Sequence, residues 1–189
     1  MRLHELLDGI ETRTGYTLNP EISNVTDDSR NVRKSSAFVC IKGHKHDGHD
    51  YAKKALEKGA AIVIGDHDIG VSKSIVGGDT RKAYALMCAN YYGNCHRKMK
   101  MIGVTGTNGK TTTAFIIKRI LEENGYKVGL IGTVGVQIGK EKYPADYTTP
   151  DSATLHRYFY MMKMAGCDVC VCEVSSQSLS QQRVYGINF

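Results

Sequence analysis

An apolar strand, a glycine-rich turn and a Gly-Lys-Thr-Thr helix start follow one another without a break in Gly103 to Thr113, GVTGTNGKTTT. Such a run leaves little local freedom. The strand must end where the helix begins, and the turn between them must curve tightly. Glycine allows this because it occupies positive φ and lets other groups approach the main chain. The product is a phosphate cradle: inward N–H groups, a positive helix terminus, a lysine and a hydroxyl suited to a metal. The run departs from the general P-loop pattern, because Val104 rather than glycine stands six residues before Lys110. Glycines recur instead at 103, 106 and 109. Gly106, Thr107, Asn108 and Gly109 would then curve around an oxyanion. Lys110 would hold β- and γ-phosphates, Thr111 would offer its hydroxyl to Mg²⁺, and Thr112 and Thr113 would support the first turn.

The flanking pattern predicts an α/β protein of two domains, residues 1–95 and 96–189. In the first, AFVCI (37–41) and AIVIG (61–65) read as strands around a helix, DYAKKALEKGA (50–60), with Ala52, Ala55 and Leu56 as its apolar stripe. This is a βαβ unit. A short strand at SIV and a helix capped by Asp79 or Thr80 follow. In the second domain KMIGVTG reads as a buried strand. TTTAFIIKRILEENG reads as a helix burying Phe115, Ile116, Ile120 and Leu121 and stopped by Gly125. YKVGLIG is a strand, VQIGKEKYPAD a hairpin turning at Gly139-Lys140, and Asp151 or Ser152 caps a helix to about Met164. DVCVCEV is a further strand, SSQSLSQQRV a helical turn, and YGINF the opening of another strand. Strands alternating with helices predict a mostly parallel sheet covered on both faces. Because the chain stops within that last apolar segment, a longer natural polypeptide is expected.

A phosphate site needs a carboxylate for its magnesium ion. Glu173 closes the apolar strand VCVCE, and ligands gather at strand C-termini in open α/β sheets. His44, His46 and His49 cluster in the polar run KGHKHDGHD, which suits phosphate or sugar better than a metal. Cys167, Cys170 and Cys172 include one Cys-x-x-Cys spacing, but they lie in or beside a strand-like run where cysteine behaves as a small hydrophobe, so zinc is not expected.

The formal charge of +6 is uneven: residues 1–95 carry a net +1 and residues 96–189 a net +5. A basic second half suits a polyanionic small molecule, and no cluster of interleaved lysines and aromatics argues for nucleic acid. MRLHELLDGI lacks the basic start and apolar core of a secretory signal, and no apolar run nears the roughly 20 residues that cross a bilayer. A cytoplasmic protein with no membrane partner is the expectation.

Four stretches together carry a resemblance: residues 27–60 (DDSRNVRKSSAFVCIKGHKHDGHDYAKKALEKGA), GVTGTNGKTTT, YTTPD (147–151) and EVSSQSLSQQRVYGINF (173–189). They resemble the Mur ligases of peptidoglycan synthesis, nearest to the branch that adds the third residue of the stem peptide. GTNGKTT marks the wider superfamily, which includes folylpolyglutamate synthases; the other three point to this branch. The resemblance implies an N-terminal UDP-substrate domain and the first part of a central ATPase domain. The family's carbamylated lysine, nucleotide-base region and C-terminal amino-acid-binding domain are not expected within this sequence. It implies ATP-dependent joining of a diamino acid to UDP-N-acetylmuramoyl-L-alanyl-D-glutamate through an acyl phosphate, with ATP and Mg²⁺ as cofactors. Cell-wall synthesis, and through it cell shape and division, would be the context.

By the same resemblance Ser29, Arg30 and the loop Gly43, His44, His46, Asp47, Gly48 and His49 would contact the uridine and its diphosphate. Thr148, Thr149, Ser175, Gln181 and Arg183 would hold the muramoyl-dipeptide end. Lys110 and Glu173 would be catalytic, with Thr111 and Glu173 on the metal. A monomer is expected for the full-length protein, while the chain by itself is expected to be inactive. Diaminopimelate and lysine are equally open as the added residue. Two alternatives stand beside this reading. One is another Mur ligase, such as the D-alanyl-D-alanine-adding enzyme, against which SSQSLSQQR weighs. The other is a non-catalytic fragment that binds UDP-sugar and ATP.

Overall fold

Short apolar runs joined by helix-length segments fold here into two α/β units, Met1–Tyr91 and Tyr92–Phe189. The computed structural model describes residues 1–14, 18–43 and 45–189. The first unit contains α1 (Leu3–Leu6), β1 (Asn24–Thr26), β2 (Ser36–Val39), α2 (Ala52–Glu57), β3 (Ile62–Gly65), β4 (Ser74–Val76) and α3 (Thr80–Tyr91). Its sheet has the order β1-β2-β3-β4, with every pair parallel. Phe38 and Val63 are register partners and pack with Cys40, Ala52 and Ala55. The alternate residues Ala37, Val39, Ile62 and Ile64 are buried as well, so both sheet faces are covered. The βαβ unit therefore forms, although its helix opens with a 3₁₀ turn at Gly48–Tyr51. Gly59, at φ 98°, ends it. Asp79 caps α3 by accepting from the backbone N–H of Arg81 at 2.9 Å.

The second unit runs through a 3₁₀ turn at Cys95–Lys98, then β5 (Lys100–Val104), α4 (Lys110–Glu123), β6 (Val128–Gly132), β7 (Gly135–Ile138), β8 (Glu141–Tyr143), α5 (Ser152–Met164), β9 (Val169–Glu173) and α6 (Ser176–Ser180). Its sheet order is β5-β9-β6-β7-β8. The first three strands are parallel, and the β7–β8 hairpin turns antiparallel at Gly139-Lys140. β9 lies between β5 and β6 and is buried along its whole length. Its alternation divides the core. Val169 and Val171 pack with Val128, Leu130 and Ala114 on the α4 side, while Cys170 and Cys172 pack with Leu155, Phe159 and Met162 of α5. Gly129 is small because a Cβ there would overlap the Met162 side chain.

Three expectations are corrected. β5 is an edge strand with half-exposed side chains rather than a buried one, because among the described residues only β9 pairs with it. α4 presents Ala114, Ile117 and Leu121 to the sheet, whereas Phe115, Ile116 and Ile120 are exposed. The adjacent pairs Ile116-Ile117 and Ile120-Leu121 let two helix faces look apolar in sequence, and the orientation imposed by the loop chooses between them. Finally, Tyr185–Phe189 forms no strand. The segment turns at Gly186, buries Ile187 in the α5-side core and lays the Phe189 ring against Gly103.

Two histidines are enclosed in this second core. His96 and His156 meet edge to face at 5.2 Å, and burial pushes them down from 6.5 to about 4 and about 3 respectively. The unfolded chain binds protons first, so their contribution to stability is complete above pH 6.5 and is lost as pH falls toward 4 and then 3. We expect the urea midpoint to fall between pH 7 and pH 4.5, with a slope of about 1–2 kcal/mol per pH unit near pH 5. The slope should flatten in His156→Leu; equal slopes in the two proteins would show that other groups control acid unfolding.

Candidate functional site

β5 and β9 run in register with Val104 opposite Glu173, so the phosphate-type loop starts where β9 ends. Gly106 takes φ 150° and Gly109 φ 78° as the N-cap of α4. Gly106, Thr107, Asn108 and Gly109 are exposed, as is Thr112, and the first N–H groups of α4 have no intrahelical acceptor by geometry. Lys110 curls back over this turn, its Nζ donating to the Gly106 carbonyl at 2.7 Å. Loop and lysine are thus closed on each other around the helix terminus.

Glu173 shares the parity of Val169 and Val171, which aims it toward the start of α4. It is fully buried, not a rim residue. Oε2 accepts from Thr111 Oγ1 at 3.0 Å and from Thr133 Oγ1 at 3.1 Å, and Oε1 accepts from the Thr133 backbone N–H at 3.1 Å. Three donors offset the cost of enclosing a carboxylate. Gly132 makes room for it, since a Cβ there would overlap Glu173 Oε1. Gly132 and Thr133 were not among the sequence candidates. Their signal was available, because they lie at the C-terminal end of a second parallel strand.

The expected muramoyl-dipeptide residues also gather near the end of β9, though several are already engaged. Thr149 is buried; its hydroxyl donates to the Glu173 carbonyl at 2.8 Å and accepts from the Ser175 N–H at 3.0 Å. Ser175 caps α6 by accepting from the Ser178 N–H at 3.2 Å. Thr148 Oγ1 is 3.1 Å from Thr133 Oγ1. Arg183 donates to the Thr149 carbonyl at 2.8 Å and grips Gln181 Oε1 through Nε and Nη2 at 2.9 and 2.7 Å. Its guanidinium lies 5.1 Å from the centre of the exposed Tyr147 ring. Tyr147 was not among the sequence candidates, although it opens the YTTPD stretch that carried the resemblance. A cavity of about 290 Å³ opens beside it, lined by Asp146, Thr154, Arg157 and Tyr158 among others.

In the first unit a cavity of about 570 Å³ collects Ser29, Arg30, His46 and Gly48 with Asp27, Asp28, Phe38, Ile41, Tyr51 and Lys54. Arg30 forks onto Asp28, with Nη2 2.8 Å from Oδ2, and that hydrogen bond holds the Asp28 carboxyl below its ordinary range. Lys58 donates to the Ser29 carbonyl at 2.8 Å. Gly48 passes so close to Ile41 that a Cβ would lie 2.6 Å from the Ile41 nitrogen. Gly43 donates its N–H to the His46 carbonyl at 2.9 Å, which closes the loop. Asp47 and His49 do not line the cavity; they pair with each other at 2.6 Å. His44 lies outside the described residues. The six cysteines are free and buried, and burial raises the Cys172 thiol to about 12 and Cys170 well above its usual range. They act as core hydrophobes.

A parallel-sheet unit with a glycine loop, a helix-start lysine and a buried carboxylate is the architecture of a P-loop-type α/β protein. The Mur ligase family, catalytic domain model matches residues 21–90, the Mur ligase middle domain model matches residues 104–189, and the chain belongs to the Mur ligase family. It is 50% identical over 172 residues to the UDP-N-acetylmuramoyl-L-alanyl-D-glutamate–2,6-diaminopimelate ligase of Clostridium perfringens, covering 89% of this chain and 36% of that protein. It is 45% identical over 195 residues to the ligase of the same name from Clostridium botulinum, covering 100% of this chain and 40% of that one. A solved structure of a ligase with this name superposes with TM-score 0.82 at 26% identity, over 98% of this chain and 38% of the other. MurF from Thermotoga maritima in complex with ADP shares the fold at TM-score 0.53 and 23% identity, over 81% and 32% of the two chains. The chain thus spans 36–40% of the length of these curated relatives.

If Gly132 is small in order to admit Glu173, Gly132→Ala should cost about 1–3 kcal/mol, the usual range for overpacking a filled site. Urea unfolding of the variant tests this. Wild-type stability would mean that Glu173 swings aside freely.

Proposed function

We propose that this chain forms the UDP-binding part and the phosphate-loop part of an ATP-dependent ligase. The reaction joins a diamino acid to UDP-N-acetylmuramoyl-L-alanyl-D-glutamate in peptidoglycan precursor synthesis. The relatives' names support 2,6-diaminopimelate as that diamino acid. The observation that carries the proposal is the contact between Thr111 Oγ1 and Glu173 Oε2 at 3.0 Å, beside the curled Lys110. It brings a carboxylate from a separate stretch of sequence to the helix terminus that carries the adjacent lysine and hydroxyl.

A carboxylate is a poor electrophile. Transfer of the ATP γ-phosphoryl group to the side-chain carboxylate of the D-glutamyl residue creates an acyl phosphate, from which an incoming amine displaces phosphate to leave an amide. The loop N–H groups from Gly106 to Thr111 would receive the transferring phosphate. Lys110 would exchange its carbonyl acceptor for anionic oxygens, a stronger charge-assisted bond. Thr111 and Glu173 present hard oxygen donors side by side, a set that fits Mg²⁺. Bound there, the ion would neutralise charge on the phosphate oxygens. In the first unit, Tyr51 offers an aromatic face for uracil, while Ser29, Arg30, His46 and Lys54 offer polar and cationic groups for the diphosphate. Gln181, Arg183, Thr148 and Tyr147 would meet the muramoyl-dipeptide end. Thr149 and Ser175 would act through the backbone they fix. ATP and a UDP-sugar as substrates support action in the cytoplasm.

Calorimetry with Mg·ATP and with uridine diphosphate, on wild type and Lys110→Ala, tests the assignment. Mg·ATP affinity should fall about 100-fold or more, roughly 3 kcal/mol, the scale of losing one oriented electrostatic donor. Uridine diphosphate affinity should be unchanged, because its pocket belongs to a unit with its own core. Equal Mg·ATP affinity in the two proteins would remove Lys110 from the phosphate site.

A further inference from the structure

His49 contributes nothing to the walls of the UDP cavity, and its ring is only 8% exposed. Each ring nitrogen meets a different carboxylate. Nδ1 lies 2.6 Å from Asp47 Oδ1 and Nε2 lies 3.2 Å from Asp66 Oδ1. The first contact is a hydrogen bond; Nε2 is buried and has no hydrogen-bond partner among the described residues. Asp47 also accepts from the His49 backbone N–H, and these two bonds hold its carboxyl below the ordinary range, so it remains an acceptor. Nδ1 therefore donates to Asp47, and Nε2 is the ring nitrogen turned toward Asp66. A buried ring nitrogen and a carboxylate oxygen thus face each other at 3.2 Å without a hydrogen bond, the spacing of two donors around one cation.

A third donor stands beside them. The His67 ring stacks on His49 at 4.4 Å, and its Nδ1 lies 2.5 Å from Asp66 Oδ1. One donor atom from each of His49, Asp66 and His67 falls within 4.8 Å of the others. A tetrahedral ion with bonds of about 2.0–2.1 Å needs donor separations of about 3.3 Å. His67, 62% exposed, is free to make that adjustment. Gly65 keeps the approach open, since a Cβ there would lie 3.2 Å from His49 Nε2 and 2.7 Å from Ile69 Cδ1.

We propose that His49 Nε2, Asp66 and His67 bind a divalent transition metal of the Zn²⁺ type, with Asp47 as a positioning residue. Two imidazoles and one carboxylate select Zn²⁺, Co²⁺ or Ni²⁺ over Mg²⁺ and Ca²⁺. Asp47 on Nδ1 is the outer carboxylate that fixes the tautomer and orientation of a metal-binding histidine. The ion would clip the segment Asp47 to His49 to the end of β3, and so would stiffen the loop that carries Gly48 into the cavity wall.

Co²⁺ is the probe, because its visible d–d bands report ligand geometry without any assay of activity. Added to the 189-residue chain, it should bind as one equivalent with tetrahedral bands, and Zn²⁺ should displace it and raise the Tm. His67→Ala, an exposed change that leaves the core intact, should weaken Co²⁺ at least 10-fold. Asp47→Asn should keep the stoichiometry and weaken binding about 10–100-fold, the usual cost of losing such an outer partner. His46→Ala should bind as wild type does. The proposal is overturned if Co²⁺ gives no saturable bands, or if His67→Ala and Asp66→Asn bind it with wild-type affinity. It is equally overturned if ¹⁵N resonances show His49 still doubly protonated at pH 8 in saturating Zn²⁺, since a proton would then bridge the two carboxylates.

Discussion

A fully enclosed carboxylate organises the second unit. Glu173 ends β9, the strand between β5 and β6, and is held by Thr111 from the helix start and by Thr133 from the end of β6. Its own carbonyl accepts from Thr149, which in turn receives the N–H of Ser175. One buried group therefore fixes the loop, two strand ends and the cap of α6 together. Removing any of its donors would leave an unsatisfied carboxylate in the interior, which is costly. The surrounding geometry is accordingly well determined.

That arrangement depends on small residues at close approaches. Gly132 admits the carboxylate, Gly129 admits Met162, and Gly103 admits the Phe189 ring. All three lie in strands, where glycine weakens local preference and usually signals that another group comes close. The first unit applies the same rule at Gly48, against Ile41, and at Gly65, beside His49 and Ile69. Parallel pairing then does the rest. It places the chemically useful residues at the carboxyl ends of neighbouring strands, where loops can vary without disturbing the core.

The cavity of the first unit and the loop of the second follow different designs. The cavity combines aromatic and cationic side chains supplied by two loops and a helix. The loop binds through its main chain, and its lysine and hydroxyl are side-chain additions. Several residues expected to touch substrate, among them Thr149, Ser175 and His49, make internal hydrogen bonds. They shape the surfaces on which more exposed neighbours such as Tyr147 and Thr148 lie.

The sequence by itself determined the βαβ order, the hairpin at Gly139-Lys140, helix starts at Asp79 or Thr80 and at Asp151 or Ser152, and the phosphate-type loop. Each of these is a local pattern: short continuous apolar runs, capping side chains, glycines at forced positive φ. It also marked Glu173 as a charge at the end of an apolar strand. Tertiary structure alone decided which face of α4 meets the sheet, because adjacent isoleucines made both faces apolar. It decided that β5 is an edge, since strand order is a property of pairing and not of composition. And it brought His49 to Asp66 and His67, residues 17 and 18 positions away in sequence, because β2 and β3 lie side by side and their ends carry these groups to one corner.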